Sequence, residues 1–229
     1  MKARGPLIVA LDTVDLDRAR QWTEAVRPYT GLIKIGLEFF LANGPAGVAS
    51  LSTTPIFLDL KLHDIPNTVA GAVRAVLPLR PRMLTVHAAG GAAMIRAAHQ
   101  ASTAGGPDRP LILAVTVLTS LGQEDLKAGG IAATPAEHVL RLGRLAIEAG
   151  ADGLVCSPLE VGLLRQALGP SVKLVVPGIR PAGSAADDQA RTMTAAAAVA
   201  AGADWIVVGR PITGATDPGE AAAKIAALL

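Results

Sequence analysis

Ile56-Phe57-Leu58-Asp59-Leu60-Lys61-Leu62 is the stretch on which the fold turns. Side chains of a strand point alternately to its two faces, so Ile56, Leu58, Leu60 and Leu62 share one face and Asp59 and Lys61 share the other. On an isolated strand an Asp-x-Lys pair usually marks a solvated face. In a parallel barrel, however, helices cover the outer face, so the all-apolar set belongs outside. Asp59 and Lys61 then point into the lumen near the C-terminal mouth, where barrel enzymes carry their sites.

The same alternation runs through the two preceding apolar stretches. In Leu32 to Gly36, Ile33 and Ile35 continue to Leu37 on one face, and Lys34 lies on the other with Leu32 and Gly36. In Leu7 to Asp12, Leu7, Val9 and Leu11 face the helices, which leaves Ile8, Ala10 and Asp12 inward. Three neighbouring strands therefore bring four charges, Asp12, Lys34, Asp59 and Lys61, to one rim. Burying uncompensated charge costs several kcal/mol per ion, so such a set implies mutual pairing or chemistry.

Eight such runs occur in order: Leu7 to Asp12, Leu32 to Gly36, Ile56 to Lys61, Met83 to Ala88, Leu111 to Leu118, Gly153 to Ser157, Lys173 to Ile179 and Trp205 to Arg210. Helical spacing is found at Asp15 to Arg27, Thr68 to Leu77, Gly91 to Thr103, Pro135 to Ala149, Leu159 to Leu168, Thr192 to Ala201 and Pro218 to Leu228. Periodicity alone admits an open doubly wound sheet. Eight strand-then-helix units in this length favour a closed α/β barrel, a (β/α)8 TIM barrel, as a single domain over residues 1–229. The Pro, Gly, Ser and Asp residues from Arg180 to Gln189 suggest a mobile loop.

Composition agrees with one large core: the chain has 229 residues, of which 51% are hydrophobic and 17% charged. A formal charge of +2 and 3% aromatic residues argue against nucleic-acid binding. The single cysteine, Cys156, precludes an internal disulfide and reads as a small buried hydrophobe in a reduced, cytoplasmic setting. Asp12 interrupts the first apolar run too early for a signal or membrane span, so no membrane association is expected. His63 is expected to pack or bond locally, His87 to be structural, and His99 and His138 to lie on helix surfaces. No second His or Cys completes a metal site with His63-Asp64.

Loops after the seventh and eighth strands of barrels often bind phosphate through backbone amides, glycine and arginine. Here they read Pro177-Gly178-Ile179-Arg180 and Gly209-Arg210-Pro211-Ile212. Glycine at 209 admits close approach of an anion, and Arg180 or Arg210 can bond its oxygens.

The run Phe57-Leu58-Asp59-Leu60-Lys61-Leu62-His63-Asp64-Ile65-Pro66-Asn67-Thr68 resembles the signature of the orotidine 5'-monophosphate decarboxylase family, whose core is Asp-x-Lys-x-x-Asp. The resemblance covers nearly the whole chain, through Leu11-Asp12, Lys34-Ile35-Gly36, Leu118-Thr119-Ser120, Pro177 to Arg180, Asp188-Gln189-x-Arg191 and Val208 to Ile212. It departs at Thr192-Met193-Thr194-Ala195, where a proline opening the helix is expected.

The resemblance implies cofactor-independent decarboxylation of orotidine 5'-monophosphate to uridine 5'-monophosphate. Lys34, Asp59, Lys61 and Asp64 would form the catalytic charge network, with Lys61 protonating C6. It also implies a homodimer in which Asp64 and Thr68 reach the partner's site. Asp12 and Lys34 would bond the ribose, Ser120 beside Thr119 would read the pyrimidine, and Gln189, Arg180, Gly209 and Arg210 would hold the phosphate. The rival is a Mg2+-dependent sugar-phosphate decarboxylase or aldolase of the same superfamily. Those relatives are expected to carry a carboxylate at the position of Lys34, whose ammonium would repel the metal.

Overall fold

The computed structural model describes residues 5–180 and 193–229. Strands β1 (Leu7–Ala10), β2 (Leu32–Gly36), β3 (Ile56–Leu62), β4 (Met83–His87), β5 (Leu111–Val115), β6 (Gly153–Val155), β7 (Lys173–Val176) and β8 (Trp205–Val208) pair in parallel. The order closes on itself, β1 pairing with both β2 and β8, so the sheet is the expected barrel and not the open alternative. Several apolar runs outlast their strands, because residues leaving the ladder at the mouth stay buried: Leu11, Val117 and Ile179 are all buried just past a strand end.

Ten helices among the described residues surround the sheet: α1 (Leu16–Val26), α2 (Leu37–Ala49), α3 (Pro66–Val76), α4 (Gly91–Ser102), α5 (Gln123–Ala128), α6 (Pro135–Glu148), α7 (Val161–Leu168), α8 (Ala195–Ala200), α9 (Arg210–Thr213) and α10 (Pro218–Ala226). The sequence reading names no helix at α2, α5 or α9. At α2 the reason is local, since Gly44 sits at φ 61° ahead of Pro45 and kinks the segment. Caps set several starts. Asp15 accepts from the Asp17 and Arg18 amides, and Thr134 and Glu137 form a reciprocal capping box on α6. The proline missing before α8 is replaced by Thr194, whose hydroxyl accepts from the Ala197 amide.

Two apolar layers result. One lies between sheet and helices and takes the outward set, including Leu7, Val9, Ile33, Ile35, Leu58 and Leu60. The other fills the lumen with Ile8, Ala10, Leu32, Phe57, Met83, Leu113, Val175 and Val207. The inner layer plugs the barrel floor, so polar groups higher up stand on a dry base. One histidine departs from expectation: His138 is buried, because α6 turns it inward, and its Nδ1 lies 2.8 Å from Arg141 Nη2. His99 is half-buried.

The N-terminal face is tied by two arginine clamps. Arg165 donates to the carbonyls of Gly202 (2.7 Å), Gly169 (2.9 Å) and Val172 (2.8 Å) and to Asp204 (2.7 Å), which itself accepts the Leu174 amide at 2.9 Å. Arg109 pairs with both oxygens of Asp152, which accepts the Ile112 amide at 2.8 Å. Gly153 lets β6 and β7 meet, since a Cβ there would collide with the Lys173 carbonyl oxygen.

Replacing Arg165 by Met removes the donors of several carbonyls at once. Because the clamp is part-exposed and water can replace some of the donors, the net loss should be roughly 2–3 kcal/mol and the melting temperature should fall by about 5–10 °C. Differential scanning calorimetry measures the loss, and the clamp is unimportant if it stays under about 1 °C.

Candidate active site

A cavity of about 450 Å3 opens at the C-terminal mouth, lined by Asp12, Lys34, Asp59, Lys61, Thr119, Pro177, Arg180, Gly209 and Arg210 among others. Nine of the residues expected at a site are thus brought together. Asp12 follows β1, Lys34 is central in β2, and Asp59 and Lys61 are on β3, with Gly36 of β2 in register with Asp59. Lys61 Nζ lies 2.9 Å from both oxygens of Asp59. Lys34 Nζ lies 3.4 Å from Asp59 Oδ2 and 3.4 Å from Asp12 Oδ1. Charges therefore alternate across the wall, as Asp12, Lys34, Asp59, Lys61.

Burial decides the weight of these pairs. The side chains of Lys34 and Asp59 are only 12% and 11% exposed, far less than those of ordinary surface ion pairs. Burial by itself would push the Lys34 ammonium pKa down, but Asp59 and then Asp12 outweigh it and hold it above its ordinary value. Burial would likewise raise the Asp59 carboxyl, but Lys34 and Lys61, with hydrogen bonds from Lys61 and Thr85, hold it below the usual carboxylate range. Each group is kept charged by its neighbours.

Backbone geometry places Lys61 unusually. Its φ is 47°, in the left-handed region that costs a non-glycine residue about 1–2 kcal/mol. The β3–β4 pairing shifts register at this point, between Leu58 and Leu62. The buried Thr85 of β4 meets the irregularity, accepting the Lys61 amide at 2.8 Å and donating to Asp59 Oδ1 at 3.0 Å.

Across the lumen Val115, Val117, Val155 and Cys156 form an apolar wall, and Gly178, Arg180, Gly209 and Arg210 lie at the β7 and β8 side. The buried Arg180 donates to the Ile179 carbonyl at 3.0 Å. Gly209 sits next to the charged wall, so that a Cβ there would lie 3.6 Å from Asp12 Oδ2. Such a cavity sets a charged wall against an apolar one and places two guanidinium groups at one side, which suits an anionic ligand.

Three expected residues stand apart from the cavity. Asp64 and Thr68 are exposed, with Asp64 accepting the amide of Ile65 at 2.6 Å, and Ser120 is exposed and forms no part of the wall. Gln189 lies outside the described residues, as does most of the segment from Arg180 to Gln189. Sequence reading missed Thr85 and Cys156. Alternation applied to β4 puts Met83, Thr85 and His87 on the lumen face and would have found the first. His87 stacks near His63, ring centroids 5.5 Å apart, and burial followed by the proximity of His63 and Lys61 holds its pKa below the ordinary value.

Among the described residues no group of three or more His, Cys, Asp or Glu is placed to hold a metal ion, and no helix is long and apolar enough to cross a membrane. A family model described as Orotidine 5'-phosphate decarboxylase / HUMPS family matches residues 5–225. A protein of Gluconobacter oxydans named orotidine 5'-phosphate decarboxylase is 55% identical, the match covering 98% of this chain and 97% of the relative. One of the same name from Thermobifida fusca is 53% identical over 98% of this chain and 95% of its own length. A crystal structure of orotidine 5'-phosphate decarboxylase from Lactobacillus acidophilus superposes with a TM-score of 0.87 at 39% identity, covering 98% of each chain.

Asp59→Asn keeps the shape and removes the anion between two ammonium groups. Breaking a buried pair costs about 3–5 kcal/mol, so the variant should melt roughly 10 °C or more lower at neutral pH. A depressed folded pKa stabilises above the unfolded carboxylate value and ceases to as pH falls through the folded value. The gap from the unsubstituted protein should therefore be full above about pH 5 and begin to narrow only below about pH 4, shrinking further as pH falls toward the lower folded value. Melting curves across that range decide it, and a gap unchanged at pH 3 contradicts the assignment.

Proposed function

The chain belongs to the orotidine 5'-phosphate decarboxylase / HUMPS family, and from that premise we propose that it decarboxylates orotidine 5'-monophosphate to uridine 5'-monophosphate and CO2. This is a carboxy-lyase step of pyrimidine nucleotide synthesis. The observation that carries the reading is the Lys61 ammonium, held on both oxygens of Asp59 inside the barrel mouth.

Loss of CO2 from C6 of the orotate ring leaves an electron pair that the ring delocalises poorly, so the step needs a fixed positive charge beside C6. Lys61 supplies that charge and then gives its proton to C6, which completes the product. Because Asp59 and Lys34 already hold their charges, little reorganisation accompanies the reaction, and this preorganisation is the main source of catalysis. Asp59 acts by positioning Lys61. The reaction requires no metal or cofactor in this reading.

Binding is divided along the cavity. Asp12 and Lys34 take the ribose hydroxyls, and Thr119 with Ser120 reads the pyrimidine edge. Arg180, Arg210, Gly209, Pro177 and Gln189 gather round the 5'-phosphate. Binding energy from that remote group helps to orient C6 against Lys61. The metal-dependent alternative is disfavoured, because the Lys34 ammonium already occupies the space between Asp12 and Asp59 that a bridging cation would need.

The working unit in this proposal is a cytoplasmic homodimer of one domain each, residues 1–229. Asp64 and Thr68 are exposed beside Ile65, which is 67% exposed, and Leu37 and Leu41 are exposed just past the end of the neighbouring strand. An apolar rim carrying a carboxylate that has no place in its own cavity suits a second copy, whose site receives Asp64 and Thr68. The single buried cysteine agrees with a reducing compartment.

Ultraviolet absorbance of orotidine 5'-monophosphate should fall with purified protein in the presence of a chelator. Lys61→Ala should lower kcat at least about 10^3-fold. Turnover that requires added Mg2+, or that survives the substitution, refutes the reading. Co-refolding Lys61→Ala with Asp64→Ala, each nearly inactive alone, should restore about a quarter of normal activity, since a twofold heterodimer keeps one intact site. If Asp64 works within its own chain, nothing is restored.

A further inference from the structure

The bulge under Lys61 is held by a side chain instead of by the sheet. Between the pairs Leu58–Leu84 and Leu62–Val86, β3 advances four residues while β4 advances two, so Asp59, Leu60 and Lys61 together face Thr85. A parallel ladder cannot satisfy the surplus amides there. The Lys61 amide instead donates to Thr85 Oγ1 at 2.8 Å, and the same hydroxyl donates to Asp59 Oδ1 at 3.0 Å. The polarity of this relay is forced. An amide can only donate and an ionised carboxylate can only accept, so the single hydroxyl proton must go to Asp59.

We propose that Thr85 is a positioning residue for the reaction: its hydroxyl fixes the left-handed backbone of Lys61 and the orientation of Asp59 as one unit, and thereby the place of the Lys61 ammonium. The inference rests on the decarboxylase reading above. Thr85 is wholly buried and does not line the cavity, so it acts only through Asp59 and Lys61. With Thr85 present, Asp59 Oδ1 accepts from Thr85 and Lys61, while Oδ2 accepts from Lys61 and faces Lys34. Without the hydroxyl, a buried amide and one carboxylate oxygen each lose a partner. The carboxylate can then rotate, and the ammonium moves with it.

Thr85→Val, which keeps the shape and removes the hydroxyl, should lower kcat for orotidine 5'-monophosphate about 10- to 100-fold, as loss of supporting hydrogen bonds behind a reactive group commonly does. KM should change little. Loss of a bond that favours ionised Asp59 should also move the acid limb of the kcat profile to higher pH. Thr85→Ser should restore both, and Thr85→Ala carries the same comparison if the valine variant does not fold. Equal kcat in the valine and unsubstituted proteins overturns the proposal. So does a serine variant as impaired as the valine one, or a lower melting temperature with kcat and acid limb unmoved. An unsubstituted protein that does not turn over the nucleotide refutes the functional reading instead, and is told apart by its own assay.

Discussion

The structure depends on the compensation of one buried carboxylate, Asp59, by two ammonium groups. Any one of these charges alone would be expelled from the barrel or neutralised, because solvation lost on burial is worth several kcal/mol for each ion. Together with Asp12 they alternate in sign along one wall, and each keeps its neighbour ionised. The arrangement is electrostatically costly to assemble and, once assembled, already oriented for a reaction that develops negative charge next to a cation.

The fold meets that cost by dividing its interior. Apolar side chains plug the barrel floor, and a second apolar layer seals the sheet beneath the helices, so the charged wall meets solvent only through the mouth. At the opposite face Arg165 donates to carbonyls, and Asp152 and Asp204, the carboxylate partners of the two arginines, accept strand amides where the chain enters the sheet. The hydrogen-bonded clamps lie at the N-terminal end, and the backbone irregularity lies at the C-terminal end. The positive φ of Lys61 and the register shift beside it are the local expression of that division.

Chemistry and family membership support each other here. The cavity sets a charged wall against an apolar one, with guanidinium groups at the β7 and β8 side, a layout suited to a nucleotide. Relatives named orotidine 5'-phosphate decarboxylase match nearly end to end. Asp64 and Thr68 are exposed beside the exposed Ile65, and the proposed second copy is argued from that placement.

Much of this was legible in the residues themselves. Alternation in three short runs placed Asp12, Lys34, Asp59 and Lys61 inward, and the structure has them so, because a strand's two faces follow from backbone geometry alone. Alternation also predicted that Leu7, Leu11, Ile33, Ile35, Ile56, Leu58 and Leu60 face the helices, but Leu37, expected on the same side, leaves the strand to open α2 and is exposed. It did not show that His138 would be buried, since which side of α6 meets the sheet depends on how the helix docks. Nor did it reveal α2, whose kink at Gly44 breaks the helical period. Only the tertiary structure decided that Thr85 lies opposite three residues of β3 and that Lys61 adopts φ 47°. Register between strands is a property of two segments far apart in the chain, and no periodicity within either one determines it.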